Sequence, residues 1–222
     1  MCFAKILTCY LHNDSIIISS KKGFYMTSTK EKLLVSATQM FAEHGFDGVS
    51  TRDLVTISMV NLCSINYYFG SKKKLYDAVI DNIVDNIKEN LITKIDEYKS
   101  QNIPAIDKIT FIISEFFDYL FSNKISNSMV MILFRELLNT NTGEDRIYNE
   151  VMEPMKQSFV NLIIDATGTD KQTAYITAQC LFSNPISFRL LQNKEKYSQN
   201  FLQKTKQQLV ENCKILLMPQ KA

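Results

Sequence analysis

The sequence predicts an all-α chain of about nine helices, three short ones at the front and longer ones behind. Three observations predict it. Apolar residues recur at helical spacing through most of the 222 residues, with no alternating period-2 run beside them. The six Gly and four Pro sit mostly between those periodic segments, which argues against a many-turned β chain. Ser, Asn or Asp stands just before several of the segments, where a helix start needs a side-chain acceptor.

Residues 1–25 lack this periodicity and hold two of the five cysteines. They fail as a signal peptide, because Thr8 and Cys9 break the apolar stretch and His12-Asn13-Asp14 stands where a cleavage site belongs. The preferred reading takes Met26 as the biological start and 1–25 as an upstream extension; a disordered native arm is the alternative. From Ser28 the pattern is regular. Ser28-Thr29-Lys30-Glu31 is a capping box, followed by Leu33, Leu34, Ala37, Met40 and Phe41 at helical spacing and by Gly45 at the exit. A second box, Ser50-Thr51-Arg52-Asp53, opens a short helix carrying Leu54 and Ile57. Asn61 can cap a third, with Leu62, Ile65 and Phe69 on one face. Ser71 caps a long fourth helix, whose buried stripe is Leu75, Val79, Ile83, Ile87, Leu91 and Ile95.

After Lys99-Ser100-Gln101-Asn102, Pro104 suits a first helical position. The helix behind it is apolar nearly all round, from Ile106 through Phe116 and Phe117 to Phe121, and belongs in the middle of a bundle. Another spans about 127–139 and is broken by Thr140-Asn141-Thr142-Gly143. Three more follow at about 144–166, interrupted by Pro154, 170–192, interrupted by Pro185, and 197–217. Gly168 and Asp170 give the stop and the cap between the first two.

Composition excludes several function classes. No apolar run approaches the roughly 20 residues of a membrane span. Cysteines at 2, 9, 63, 180 and 213 form no CxxC pair and are odd in number, a reduced, cytoplasmic pattern rather than a disulfide framework. The two histidines, His12 and His44, neighbour no nucleophile or metal-spaced partner, and neither HExxH, GxGxxG nor GxxxxGKS occurs. The reading is therefore no enzyme, no cofactor, no metal and no membrane. The formal charge of +2 carries no message about nucleic acid.

The two short helices around Ser58-Met59-Val60-Asn61 have the spacing of a helix-turn-helix, which seats its second helix in the DNA major groove. That spacing alone is weak. The segment Asn61 to Phe69 adds small polar side chains and two tyrosines suited to phosphate and base edges. Lys72, Lys73 and Lys74 then occupy the first turn of a helix, where cations are disfavoured by the macrodipole. A docked phosphate would reverse that sign; a solvated charge run is the alternative. Residues 26–75 hold six basic and four acidic side chains, so any basic footprint is local.

Here the sequence resembles a known family. Gly45-Phe46, Ser50-Thr51-Arg52-Asp53-Leu54 and Asn66-Tyr67-Tyr68-Phe69-Gly70-Ser71-Lys72 are similar to the DNA-binding domain of TetR/AcrR-type bacterial transcriptional regulators. Arg135-Glu136-Leu137-Leu138, Glu150 to Pro154, Ala166-Thr167-Gly168 and Phe182 to Leu190 resemble the CecR-like (YbiH-like) branch. The resemblance covers about 28–215 and implies a DNA-binding domain at 26–76 and a ligand-sensing and dimerisation domain at 77–222. It departs from the family pattern at Val55, Ser58, Met59, Asn66 and Lys73, which bears on operator sequence and affinity rather than fold. Met59 in particular stands at a turn position usually held by Gly or Asn.

Carried over, the resemblance assigns DNA contacts to Thr51, Arg52, Asn61, Leu62, Cys63, Ser64, Asn66, Tyr67, Tyr68 and Lys72. Thr51, Tyr67, Tyr68 and Lys72 go to phosphate, and Leu62, Cys63, Ser64 and Asn66 to the groove. Leu62 and Tyr68 read equally as packing between helices. The implied partners are double-stranded operator DNA, a second copy joined through the last two helices, and a small-molecule inducer. Phe111, Phe117, Met129, Phe134, Tyr148, Met152 and Phe159 are the candidate ligand-binding residues, adaptable Met beside flat aromatic walls; each also reads as plain core. A protein of the same fold that binds only a ligand or partner, without specific DNA binding, is the alternative. Redox sensing through Cys63 is a further one.

Overall fold

The computed structural model describes residues 28–138 and 146–217. The expected extension at 1–25, the start at Met26 and the break at 140–143 lie outside the described residues. Among the described residues there are nine helical runs and no strand.

Three helices form a head: α1 (Thr29–His44), α2 (Thr51–Ser58) and α3 (Cys63–Tyr68). Both capping boxes form. The Glu31 amide donates to Ser28 Oγ at 3.2 Å while the Ser28 amide donates to Glu31 Oε2 at 2.8 Å, and Ser50 with Asp53 does the same at 3.1 and 3.0 Å. These bonds to Ser50 hold the Asp53 carboxyl below the usual carboxylate range. The first helix is not short as expected: its 16 residues bury Leu33, Ala37 and Phe41 against the rest of the head and the body. Leu54, Ile65, Leu75 and Val79 complete that core. Phe41 meets Tyr76 edge-on at 4.9 Å and stacks with Phe46 at 6.0 Å, so an aromatic trio joins the head to the next helix.

That helix, α4, runs as Lys72–Ile87, passes through a π turn at Lys88–Ile92 and ends as Thr93–Lys99. Every residue of the predicted stripe, from Leu75 to Ile95, is buried. α5 (Ala105–Phe121) is the central helix predicted, packed by the end of α4 and by α7, α8 and α9. α6 is Asn127–Leu138; α7 opens at residue 146, widens into a π turn at Tyr148–Met152 and continues as Glu153–Thr167. α8 (Lys171–Glu195) and α9 (Gln199–Leu216) close the chain. Phe182 joins the core between Phe116 and Phe159, with ring centroids 5.2 and 4.6 Å away. On the surface Arg146 pairs with Asp81 and with Glu150, and Lys88 reaches Glu150 at 2.7 Å, which ties α4 to α7.

The prolines do not interrupt their helices as expected. Pro154 stands one residue beyond the π turn, whose wider ring relieves the clash of a proline with the preceding turn. Pro185 lies inside an unbroken 25-residue helix, where Ser183 Oγ and Asn184 Nδ2 donate to the Cys180 carbonyl at 2.9 and 3.0 Å. The carbonyl that Pro185 leaves without an amide is that of Leu181, and the helix continues through it. Among the described residues no helix is long and apolar enough to cross a membrane.

Candidate nucleic-acid interface

The turn between α2 and α3 is built by backbone bonds. The Met59 amide donates to the Thr56 carbonyl and the Val60 amide to the Val55 carbonyl at 3.1 Å, a Schellman exit from α2. That exit needs a left-handed residue. Met59 fills it at φ 54°, ψ 45°, with its side chain 91% exposed. Glycine would sit there without the penalty that a Cβ brings, so the turn holds against a local cost.

After the turn, Asn61 Oδ1 accepts the Cys63 amide at 2.9 Å and starts α3. Its acceptor oxygen therefore serves the helix end. Ile65 is buried against the head and fixes the rotation of α3. Cys63, Asn66 and Tyr67, spaced i, i+3 and i+4, consequently share the exposed face, with Tyr67 81% exposed. Ser64 is half-buried. Leu62 does not join Ile65 and Phe69 on the inner face. It precedes the first residue of α3, sits in the entry turn, and is 51% exposed. Tyr68 is partly exposed, its ring edge-on to Tyr67 at 4.8 Å.

Two further elements flank this face. Thr51 and Arg52 form the first turn of α2, half-buried and exposed respectively. Ser71 caps α4, its Oγ accepting the Lys74 amide at 3.1 Å. The three lysines behind it separate into different roles. Lys72 Nζ lies 4.2 Å from the Phe46 ring centroid, a cation–π contact that holds the ammonium in place. Lys73 is drawn along the helix to Asp77 Oδ1 at 2.6 Å, and Lys74 is exposed. Exposed groups at two helix starts and along a third helix give a surface of hydroxyls, an amide and cations. Such a surface suits a phosphate backbone flanking a groove.

The sequence reading missed the residues that join this head to the body. Arg135 of α6 donates from Nη1 to the Phe41 carbonyl at 2.5 Å and from Nη2 to the Ala42 carbonyl at 3.1 Å, meeting the carbonyl end of α1. Gly45 makes room for it: a Cβ there would lie 3.1 Å from Arg135 Nη1. Beside it the Tyr76 hydroxyl donates to Glu136 Oε1 at 2.6 Å, and burial, reinforced by that carboxylate, pushes the phenol pKa well up. The available signal was a charged pair, Arg135-Glu136, inside an otherwise apolar helix.

The candidate ligand residues fall in several places. Phe159 lines a cavity of about 110 Å³ among α4, α5 and α7, with Ile95, Ile112 and Met155. Met129 lines a larger cleft of about 580 Å³ between α1 and the body. Phe117 is buried and stacked on Phe121, and Phe111 lies flat on Tyr98 at 3.6 Å. Phe134 and Met152 are half-buried at the margin of the core. Tyr148 is on the surface, donating to Glu153 Oε2 at 2.8 Å and accepting from Lys156 at 3.0 Å. The bonds from Lys156, Gln157 and Tyr148 pull the Glu153 pKa down to about 2.

Known proteins share both halves of this arrangement. Residues 33–79 match the family described as bacterial regulatory proteins, tetR family. Residues 105–213 match the C-terminal domain of the HTH-type transcriptional dual regulator CecR. The chain is 26% identical over 178 residues to a probable HTH-type transcriptional regulator of Bacillus subtilis, YttP, covering 79% of this chain and 78% of that one. It is 25% identical to the dual regulator CecR of Shigella flexneri over 72% of this chain and 75% of the other. Among solved structures, the ketosteroid transcriptional regulator KstR2 of Mycobacterium tuberculosis superposes with a TM-score of 0.63 at 15% identity, covering 85% and 94% of the two chains. AmtR of Mycobacterium smegmatis does so at 0.62 and 15%, covering 91% and 92%. The two matched segments meet the head and the body that α6 joins, and the chain belongs to the TetR family of bacterial transcriptional regulators, with a body of the CecR type.

Proposed function

We propose that the protein binds a palindromic operator as a homodimer, acts mainly as a repressor, and is released by a small hydrophobic molecule. The observation that carries this reading is the rotation of α3: Ile65 anchors one face and leaves Cys63, Asn66 and Tyr67 on the other. Thr51, Tyr67, Tyr68 and Lys72 contact phosphate in this reading, while Leu62, Cys63, Ser64 and Asn66 enter the groove. The cation–π contact supports Lys72 as a pre-placed phosphate ligand. Lys73, engaged by Asp77, contributes less.

Dimerisation through α8 and α9 is supported by apolar side chains that those helices expose, among them Tyr175, Ile176, Leu191, Phe201 and Ile215. Two heads about 34–36 Å apart then match successive major grooves on one side of a duplex. The ligand acts by shifting the population between two head spacings, and the contact of α6 with the end of α1 is the route by which the body reaches the head.

The test is a mobility shift of the full chain on DNA flanking its own gene, run from about 50 to about 200 mM salt. Specific binding should weaken steeply with salt, and Lys72→Ala should lower the slope by about one. A folded dimer without sequence preference at any salt would overturn the reading in favour of a TetR-fold protein that binds only a ligand or partner.

A further inference from the structure

We propose that α3 reads an adenine and a nearby thymine in each half-site, Asn66 taking the adenine edge and Leu62 the thymine methyl. The inference rests on the function proposed above and names the bases that this face selects. Two asparagines stand in the segment, and they differ in what they have left to offer. Asn61 commits its Oδ1 to the Cys63 amide. The Asn66 side chain is exposed and makes no hydrogen bond to the described residues, so its carbonyl and its NH2 are both available. A carboxamide with both groups free matches the N7 acceptor and N6 donor that adenine presents side by side in the major groove. Guanine presents two acceptors there and would leave the amide oxygen unmet.

Leu62 supplies the second contact. It is 51% exposed, whereas Ile65, the other aliphatic side chain of this helix, is 1% exposed. The thymine C5-methyl is the one apolar group that a base pair presents in the major groove, so seating Leu62 on it removes apolar surface of both partners from water. Leu62 already has helical backbone angles and stands four residues before Asn66. The two side chains therefore lie on one side of the helix, about 5–6 Å apart at Cβ. Bases stack about 3.4 Å apart, so that span limits the adenine and the thymine to one or two steps of each other. Contacts of Thr51, Tyr67 and Lys72 with phosphate would carry no such sequence information.

The experiment selects duplexes from a random library with the full chain and then edits single groups of the preferred duplex. Each thymine is replaced in turn by deoxyuridine, which lacks the methyl, and each adenine by 7-deazaadenine, which lacks the N7 acceptor. Binding is followed by fluorescence anisotropy at fixed salt. One thymine per half-site should weaken binding about fourfold as deoxyuridine. One adenine within two steps of it should weaken binding about fivefold or more as 7-deazaadenine. Leu62→Ala should bind the thymine and deoxyuridine duplexes equally yet keep the adenine effect, and Asn66→Ala should do the reverse. Both side chains are exposed, so the variants leave the buried core of the head untouched, and the base edits leave the protein unaltered. A thymine effect that survives in Leu62→Ala overturns the proposal. So does an adenine effect that survives in Asn66→Ala, or a pair of sensitive bases more than two steps apart. A preferred duplex that tolerates every edit overturns the base reading alone. A selection that returns no preferred duplex overturns the proposed function, and the base reading with it.

Discussion

In the head, α2 and α3 have eight and six residues, and side-chain or backbone bonds fix both ends of α2 and the start of α3. In the body, α5 has 17 residues and no side-chain cap, and it stands because seven of its residues are buried by the helices around it. A helix of two turns cannot meet its nucleation cost from within, so its ends must be specified locally. A central helix can leave its ends plain, since burial of its sides supplies the stabilisation. The two short head helices are thus written in short-range chemistry and the central helix of the body in long-range packing.

The strongest way to break that contrast is in the body core. Phe159→Ala removes a ring that is 1% exposed and packed on Phe182, and should cost about 3–5 kcal/mol in chemical denaturation. The α3 face should be unaffected, so the surviving folded fraction should bind DNA normally. Arg135→Met comes next, at about 2 kcal/mol, because it strips two charged hydrogen bonds from the end of α1. The contrast predicts how it fails: the head should melt ahead of the body, giving two separate transitions by near- and far-ultraviolet dichroism. One coincident, unshifted transition would mean that head and body do not depend on that link.

Met59→Gly should run the other way, stabilising the protein by about 1 kcal/mol by relieving the left-handed turn. A loss of stability there would show that the methionine side chain contributes something its exposure conceals. The last effect is absent near neutral pH: a pH dependence that develops only in alkali. Burial pushes the Cys213 thiol up to about 12 from an ordinary value of about 9. Between those values the folded protein holds a proton that the unfolded chain releases, so stability is full below about pH 9 and falls as pH rises toward 12. Tyr76 and Tyr119, whose pKa values burial also raises, add to the same trend. Cys213→Ala should flatten the fall in denaturation midpoint between about pH 8 and about pH 10.5.

The same division explains what could be read from the sequence. Ser28, Ser50, Asn61, Ser71 and Asp170 each announce a helix start because the bond they make spans two or three residues. The stripe from Leu75 to Ile95 is legible because burial follows the helical period. The two π turns carry no such mark, and the second keeps α7 running where Pro154 suggests a break. Leu62 falls on another face than its spacing predicts because one residue of shift at a helix start rotates a side chain by about 100°. Arg135 is not legible as a link to the head for a different reason. Its partners lie 93 and 94 residues away, beyond any local pattern.

Gly45 and Arg135 also bind each other's history. The glycine leaves the space that the guanidinium enters, and its own backbone, at φ 74°, suits a residue without a side chain. A descendant that gained a side chain at position 45 while keeping the arginine would crowd the link. One that lost the arginine first would strip the guanidinium from the Ala42 carbonyl and leave Phe41 only the Gly45 amide, beside an empty space. Drift at either position is penalised unless the other has already moved, so the two should change as a pair or not at all, though nearly a hundred residues separate them along the chain.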